Sequence, residues 1–182
     1  MATQIIEAVQ QRAGLPALIK VTPDKGVTPQ QSLPRPGLHQ AALVTVAAAL
    51  YKLTRTNEGV VRLLLSGKDD SWLLLPGAIG SSMPEVVAGV SEYSHSDKES
   101  AESLMRSLAD TALLVLHETL ADQLTPEHVR EYMSAQRHNI LIYIPAELKL
   151  GKMLNDSAWD DQTNHMEGPV SNVIHKIENL MS

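Results

Sequence analysis

The sequence feature that most constrains the fold is an apolar pattern of helical period between residues 97 and 123. Its apolar residues recur three or four positions apart, which places them on one face of an α-helix. They are Ala101, Leu104, Met105, Leu108, Ala112, Val115, Leu116 and Leu120. The segment 112–116 is apolar all round, so we predict a helix buried at the centre of the fold. The S-x-x-E pattern from Ser96 to Glu99 predicts the capping box that opens this helix.

A second long helix is predicted directly after the first. The tripeptide Thr-Pro-Glu at 125–127 is a helix-start signature, and the apolar pattern behind it continues to residue 144. Residues 140–144 are also rich in β-branched side chains, so a strand is the alternative. We favour the helix because its period continues and no partner strand is evident. Pro145 is expected to kink or restart this helix, which we expect to continue over 146–154.

The other apolar stretches are shorter and are separated by turn signals. They are an Ala-rich helix at 41–54, a stretch at 60–65 ending at Ser66-Gly67, a stretch at 72–75 that Pro76-Gly77 should break, and a helix at 83–93 that starts after Ser82. We expect 97–123 and 126–144 to form a central hairpin that packs on the helices 41–54 and 83–93.

The distribution of proline and acidic residues divides the 182 residues into five parts. They are an N-terminal amphipathic helix at 1–18, a proline-rich linker or arm at 19–37, a helical core domain at 38–154, an acidic loop at 155–168 and a C-terminal docking helix at 169–182. The N-terminal helix carries Ile5, Ile6 and Val9 on one face. That face can dock on its own domain or on a neighbouring subunit.

Together these elements predict an all-α fold. We expect a compact bundle of about six to eight helices, with the two terminal amphipathic helices at its periphery. The core should be aliphatic, since the chain has 25 Leu, 18 Ala, 14 Val and 9 Ile but no Phe. The few aromatic residues fall in predicted loops or near helix ends, so we expect them at the margins of the core.

Composition and charge exclude several classes of protein. The absence of Cys rules out disulfides, a Cys nucleophile and thiolate metal sites. The 15 Lys and Arg are scattered and outnumbered by 21 Asp and Glu, so we predict no nucleic-acid binding. The longest uncharged stretch, 36–51, is too short and too polar for a membrane span, so we predict no membrane association. With no signal peptide evident, the expected location is the cytoplasm.

The sequence contains no recognisable catalytic, cofactor-binding or metal-binding motif, although it has 7 His. Glu92 and His95 form one E-x-x-H pattern, but a di-iron bundle needs two. His117, His128 and His138 lie on the two long helices and could converge. The acidic loop lacks the residue order of a calcium-binding EF-hand. No G-x-S-x-G nucleophile motif is present. We therefore predict no catalytic, cofactor or metal residues.

Partner binding is better supported than catalysis. The C-terminal segment carries the most regular amphipathic stripe of the chain, and Trp159 precedes it as a candidate aromatic anchor. The predicted interaction residues are Trp159, Val170, Val173, Ile174, Ile177 and Leu180. The first functional hypothesis is a non-enzymatic interaction or scaffold protein that forms a homo-oligomer or binds a protein partner through its terminal helices. The alternative is a small helical enzyme, or a ligand- or metal-binding protein, that uses His and carboxylate groups in an interhelical pocket.

Overall fold

The computed structural model describes residues 4–21, 37–67, 70–79 and 83–159. Within these ranges the chain forms eight α-helices and no strand, which confirms the predicted all-α bundle. They are α1 (Ile5–Arg12), α2 (Leu38–Leu53), α3 (Asn57–Leu65), α4 (Ser71–Ala78), α5 (Met83–Ser94), α6 (Lys98–Thr119), α7 (Pro126–Leu141) and α8 (Leu150–Leu154). Most of the predicted linker and the whole predicted C-terminal helix lie outside the described residues.

The helix at the centre of the bundle is α2, with α1, α4, α5, α6 and α7 all packed against it. Every residue from Gln40 to Leu50 is buried, and five of them are Ala, whose small side chains allow neighbouring helices to approach closely. The prediction that α6 is the central helix was therefore wrong, although its segment 112–116 is mostly buried. The predicted α6–α7 hairpin is wrong as well, because α6 packs mainly on α2 and α1, whereas α7 packs mainly on α2 and α3.

The cap of α6 lies one residue later than the sequence pattern predicted. Asp97 is the N-cap, and its carboxylate accepts hydrogen bonds from the Ser100 backbone N–H at 2.7 Å and the Ser100 hydroxyl at 2.8 Å. Ser96 is engaged instead with the end of α5, where its hydroxyl lies 2.8 Å from that of Ser94. These hydrogen bonds hold the pKa of the Asp97 carboxyl below its ordinary value.

The start of α7 agrees with the prediction, and its end does not. Thr125 is the N-cap, and its hydroxyl accepts the N–H of His128. The helix ends at Leu141, so residues 142–144 form neither the predicted helix nor the alternative strand. They turn instead, and the Ile142 carbonyl accepts a 2.7 Å bond from Val21 N–H. Pro145 then opens a short 3₁₀ turn that leads to α8.

The helix α4 runs through the position where a break was predicted. Pro76 lies inside it, and the helix ends two residues later at Ala78. Proline at position 76 removes the backbone bond that a residue there would donate to residue 72 and crowds that carbonyl. Burial of Leu74, Leu75 and Ala78 along one side offsets this loss.

Two buried glutamine amides attach the N-terminal segment to the bundle. Gln136 accepts the N–H of Ile5 at 3.1 Å, which satisfies a donor at the start of α1. Gln40 accepts the N–H of Ile19 at 2.8 Å and donates to the carbonyls of Ile19 at 2.8 Å and Tyr143 at 2.7 Å. The apolar face of α1 is buried against α2, α6 and α7, so this helix docks on its own chain.

The core is aliphatic, as predicted, but three aromatic residues are more deeply buried than expected. The largest fully buried side chains are all Ile, Leu or Met. However, Trp159 is 2% exposed, Tyr143 4% and Tyr132 8%. Burial and the nearby Glu7 carboxylate, which accepts the Tyr143 hydroxyl at 3.3 Å, raise the pKa of Tyr143.

Substitution of a core leucine of α6 should abolish folding. Leu108 and Leu116 are both fully buried, so Leu108→Asp or Leu116→Asp would bury an unpaired carboxylate. The cost is comparable to a total stability of about 5–15 kcal/mol. We expect little helical circular dichroism signal and no cooperative melting transition. Ser103→Asp, at an exposed position of the same helix, is the control and should melt like the wild type.

Loss of the Gln40 amide should weaken the attachment of the N-terminal segment. Gln40→Leu removes the partners of three backbone groups, on Ile19 and Tyr143, and unpaired buried groups cost about 1–3 kcal/mol each. We expect urea denaturation to show a loss of about 3 kcal/mol, with faster hydrogen exchange at Ile19. Gln123→Leu, at an exposed position, should change stability by less than about 0.5 kcal/mol. Equal effects of the two substitutions would contradict this account.

Candidate interaction surface

The exposed apolar side chains of the described chain are concentrated on one helix pair. Leu65 is 81% exposed, Leu73 70% and Val61 46%, and all three belong to α3 or α4. The other large apolar residue in this exposed group, Leu124, is 37% exposed and precedes α7. Scattered exposed leucines are ordinary in proteins, but a concentration on one element marks a candidate binding surface. We call Val61, Leu65 and Leu73 the α3–α4 surface.

The two helices of this surface form a hairpin. They pack against each other and are joined by residues 66–70. The side chain of Arg62 on α3 reaches across to α4, since a Cβ atom at Gly77 would lie 3.0 Å from one of its guanidinium nitrogens. Leu65 lies one turn from Arg62 toward the connection, and Leu73 lies one turn from Gly77 in the same direction. The two leucines therefore flank the connected end of the hairpin.

The exposure of α3 follows from its position in a second layer. Its principal neighbours are α4 and α7, not the central α2. Val60 and Leu63 supply its buried side, while Val61 and Leu65, four residues apart, share the outer side. Glu58 and Arg62 form an exposed i,i+4 ion pair beside them, with 3.9 Å between charged atoms. An apolar centre with a charged rim is the usual composition of a protein-binding surface.

Contacts with α6 hold α4 in place beneath this surface. The Ser71 hydroxyl, which is at the start of α4, donates to the Asp110 carboxylate. Arg106 lies over the Trp72 ring, with its guanidinium carbon 4.5 Å from the ring centroid, and also pairs with Glu102. Leu73 is therefore presented by an element whose two preceding residues, Ser71 and Trp72, are both held by α6.

The sequence-predicted anchor Trp159 lies at the end of the described chain and is buried there. Its ring packs edge-on against Tyr51, with centroids 5.1 Å apart. Nearby, Asp156 pairs with Arg55 at 2.8 Å and Arg137 donates to the Ala158 carbonyl at 2.8 Å. The indole N–H is buried with no acceptor among the described residues. The interface role of Trp159 stays a prediction, and within the single chain its ring is not presented to a partner.

The remaining predicted interaction residues lie outside the described residues. They are Val170, Val173, Ile174, Ile177 and Leu180. The amphipathic stripe that they form is a property of the sequence alone, and its interface role stays a prediction.

The histidines singled out by the sequence are dispersed. His128 and His138 lie ten positions apart on α7, about 15 Å along a helix, so one metal ion cannot bind both. His117 is half-buried, with its Nε2 atom unpaired within the described part of the chain. Glu92 and His95 are exposed, and His95 already lies beyond the end of α5. Across residues 4–21, 37–67, 70–79 and 83–159, no three His, Asp or Glu side chains are grouped for metal binding.

A shallow surface depression lies on α6. Its described lining is one face of the helix, which presents Glu99, Ser100, Ser103, Leu104 and Ser107. The lining combines one carboxylate with three hydroxyls and contains no His, so it lacks an acid–base pair for catalysis.

Within the described residues, no single helix has both the length and the apolar character to cross a membrane. The helices α4 and α5 have the required length and apolar character only when they are taken together, and the angle of the bend between them is 94°.

Comparisons of this chain with models of known protein families, with curated proteins and with solved structures gave no significant match.

Substitutions on the α3–α4 surface should leave the fold intact. Leu65→Ser and Leu73→Ser alter side chains that are mostly exposed, so each should change the free energy of unfolding by less than about 0.5 kcal/mol. Urea denaturation measures this directly. Leu63→Ser is the matched comparison, because Leu63 lies on the buried side of α3 and should cost several-fold more. Similar losses for Leu63 and Leu65 would show that the outer side of α3 is packed.

Proposed function

We propose that this protein is a non-enzymatic helical interaction protein that self-associates through the α3–α4 surface. The observation that carries the proposal is the 81% and 70% exposure of Leu65 and Leu73, beside a core in which leucines such as Leu43, Leu63 and Leu108 are fully buried. Apolar surface gains about 25 cal/mol for each Å² removed from water. A partner that covers these side chains therefore gains free energy without displacing any contact of the bundle.

The terminal helices contribute differently to this proposal. The apolar face of α1 is already buried within its own chain, where Ile5, Ile6 and Val9 contact the bundle. It offers no apolar stripe to a partner while it is docked on α2, α6 and α7. The C-terminal stripe from Val170 to Leu180 is the terminal element left to support association, as the sequence predicts.

Light scattering after size-exclusion chromatography tests the proposal across a range of concentrations. We expect the wild-type mass to rise above 19.8 kDa as concentration increases. The double variant Leu65→Glu/Leu73→Glu should weaken self-association at least about tenfold, since each introduced charge would have to be desolvated at the interface. Circular dichroism of this variant should match that of the wild type.

Leu124→Glu is the control, because it adds a charge at an exposed leucine outside the α3–α4 surface. It should associate like the wild type. A wild-type protein that stays monomeric at every concentration would overturn the proposal. An equal loss of association in the control and in the double variant would place the interface elsewhere.

A further inference from the structure

The described chain ends near the start of α3. Lys52 at the end of α2 donates to the Leu154 carbonyl at 2.5 Å, and Arg55 pairs with Asp156 at 2.8 Å. Arg55 lies two residues before α3 begins at Asn57. The last described residues, which end at Trp159, therefore lie close to the connection between α2 and α3, and α3 itself is roughly 12 Å long from its first to its last residue.

The segment beyond Trp159 has the length and pattern to cover this surface. Residues 160–168 can span at most about 30 Å, which exceeds the length of α3. The predicted helix at 169–182 places Val170, Val173, Ile174 and Ile177 on one face. As a helix, the stripe from Val170 to Leu180 is about 15 Å long, similar to the nine residues of α3.

The small number of exposed apolar side chains on the α3–α4 surface argues against the simplest dimer, in which two of these surfaces meet face to face. A stable interface contains about 20–30 residues from each partner. The α3–α4 surface supplies only Val61, Leu65 and Leu73 as prominent apolar groups. An amphipathic helix adds five apolar side chains for each copy, and reciprocal exchange of two such helices doubles the contact.

We infer that the α3–α4 surface binds the C-terminal segment 169–182 of a second copy of this chain. The inference rests on the proposed self-association, which requires that a second copy cover the surface. Two such contacts, related by symmetry, close a dimer in which each copy gives its C-terminal segment and receives the other. The tether 160–168 is long enough for this exchange, and the predicted contact joins Leu65 of one copy with the stripe of the other.

Disulfide cross-linking tests the pairing, because the natural chain has no Cys and each introduced thiol is unique. A tagged Leu65→Cys chain is mixed with an untagged Ile177→Cys chain under mild oxidation. We expect disulfide-linked dimers that contain one tagged and one untagged chain. Their yield should be at least about tenfold higher than in a control mixture in which a tagged Leu124→Cys chain replaces the Leu65→Cys chain. Predominant Leu65→Cys homodimers would indicate face-to-face contact and overturn the inference.

Complementation provides a second measurement that does not depend on disulfide geometry. Leu65→Glu/Leu73→Glu removes the receiving surface, and Val173→Glu/Ile177→Glu removes the apolar stripe. Each variant alone should be monomeric, while an equal mixture should form a heterodimer through the one intact contact. A stripe variant that associates like the wild type would overturn the inference and leave the proposed function standing.

The double variant Leu65→Cys/Ile177→Cys separates the second copy from the chain's own segment. Linked dimers at low concentration are expected if the segment is exchanged. A disulfide that closes within one chain would show that the segment covers its own surface, and would overturn the inference. A wild-type protein that is monomeric at every concentration, as measured by light scattering alone, would overturn the proposed function and with it the inference.

Discussion

Among the helices that the structure describes, five pack against α2, and the small side chains of α2 allow them to do so. An alanine-rich helix has a small radius, so its neighbours approach closely on every side and leave no exposed face. Its buried polar groups are satisfied: Thr45 donates to the Ala41 carbonyl at 2.7 Å, and the Gln40 amide binds two other segments. The arrangement of the other helices depends on this central element.

Crowding around α2 also accounts for the candidate interaction surface. Because other helices occupy the circumference of α2, α3 lies outside this first layer and packs on α4 and α7. A helix of nine residues that contacts neighbours on one side must expose the other. Because α3 is apolar on both sides, the exposed side carries Val61 and Leu65. The surface therefore results from the same packing that produces the core.

Local signals in the sequence predicted the helices well. Thr125 and the proline after it begin α7 as expected, because capping and first-turn geometry depend only on adjacent residues. The sequence pattern placed the cap of α6 at Ser96, one residue before the observed cap at Asp97. Both residues suit the position, and the contact of Ser96 with the end of α5 selects between them. The α3–α4 surface was missed since periodicity identifies apolar residues, not the neighbours that cover them. In α3 the apolar residues cover one broad arc of the helix, and the pattern alone does not tell which part of that arc the neighbouring helices bury.

The attachment of the N-terminal segment has a consequence for how the protein responds to its surroundings. Gln40 and Gln136 are uncharged at every pH, and their bonds to backbone groups are buried. Neither proton concentration nor ionic strength acts on such contacts directly, whereas the exposed Arg12–Glu118 pair at the end of α1 is screened by salt. The two glutamine attachments of residues 4–21 are thus contacts on which changes of pH or salt do not act directly.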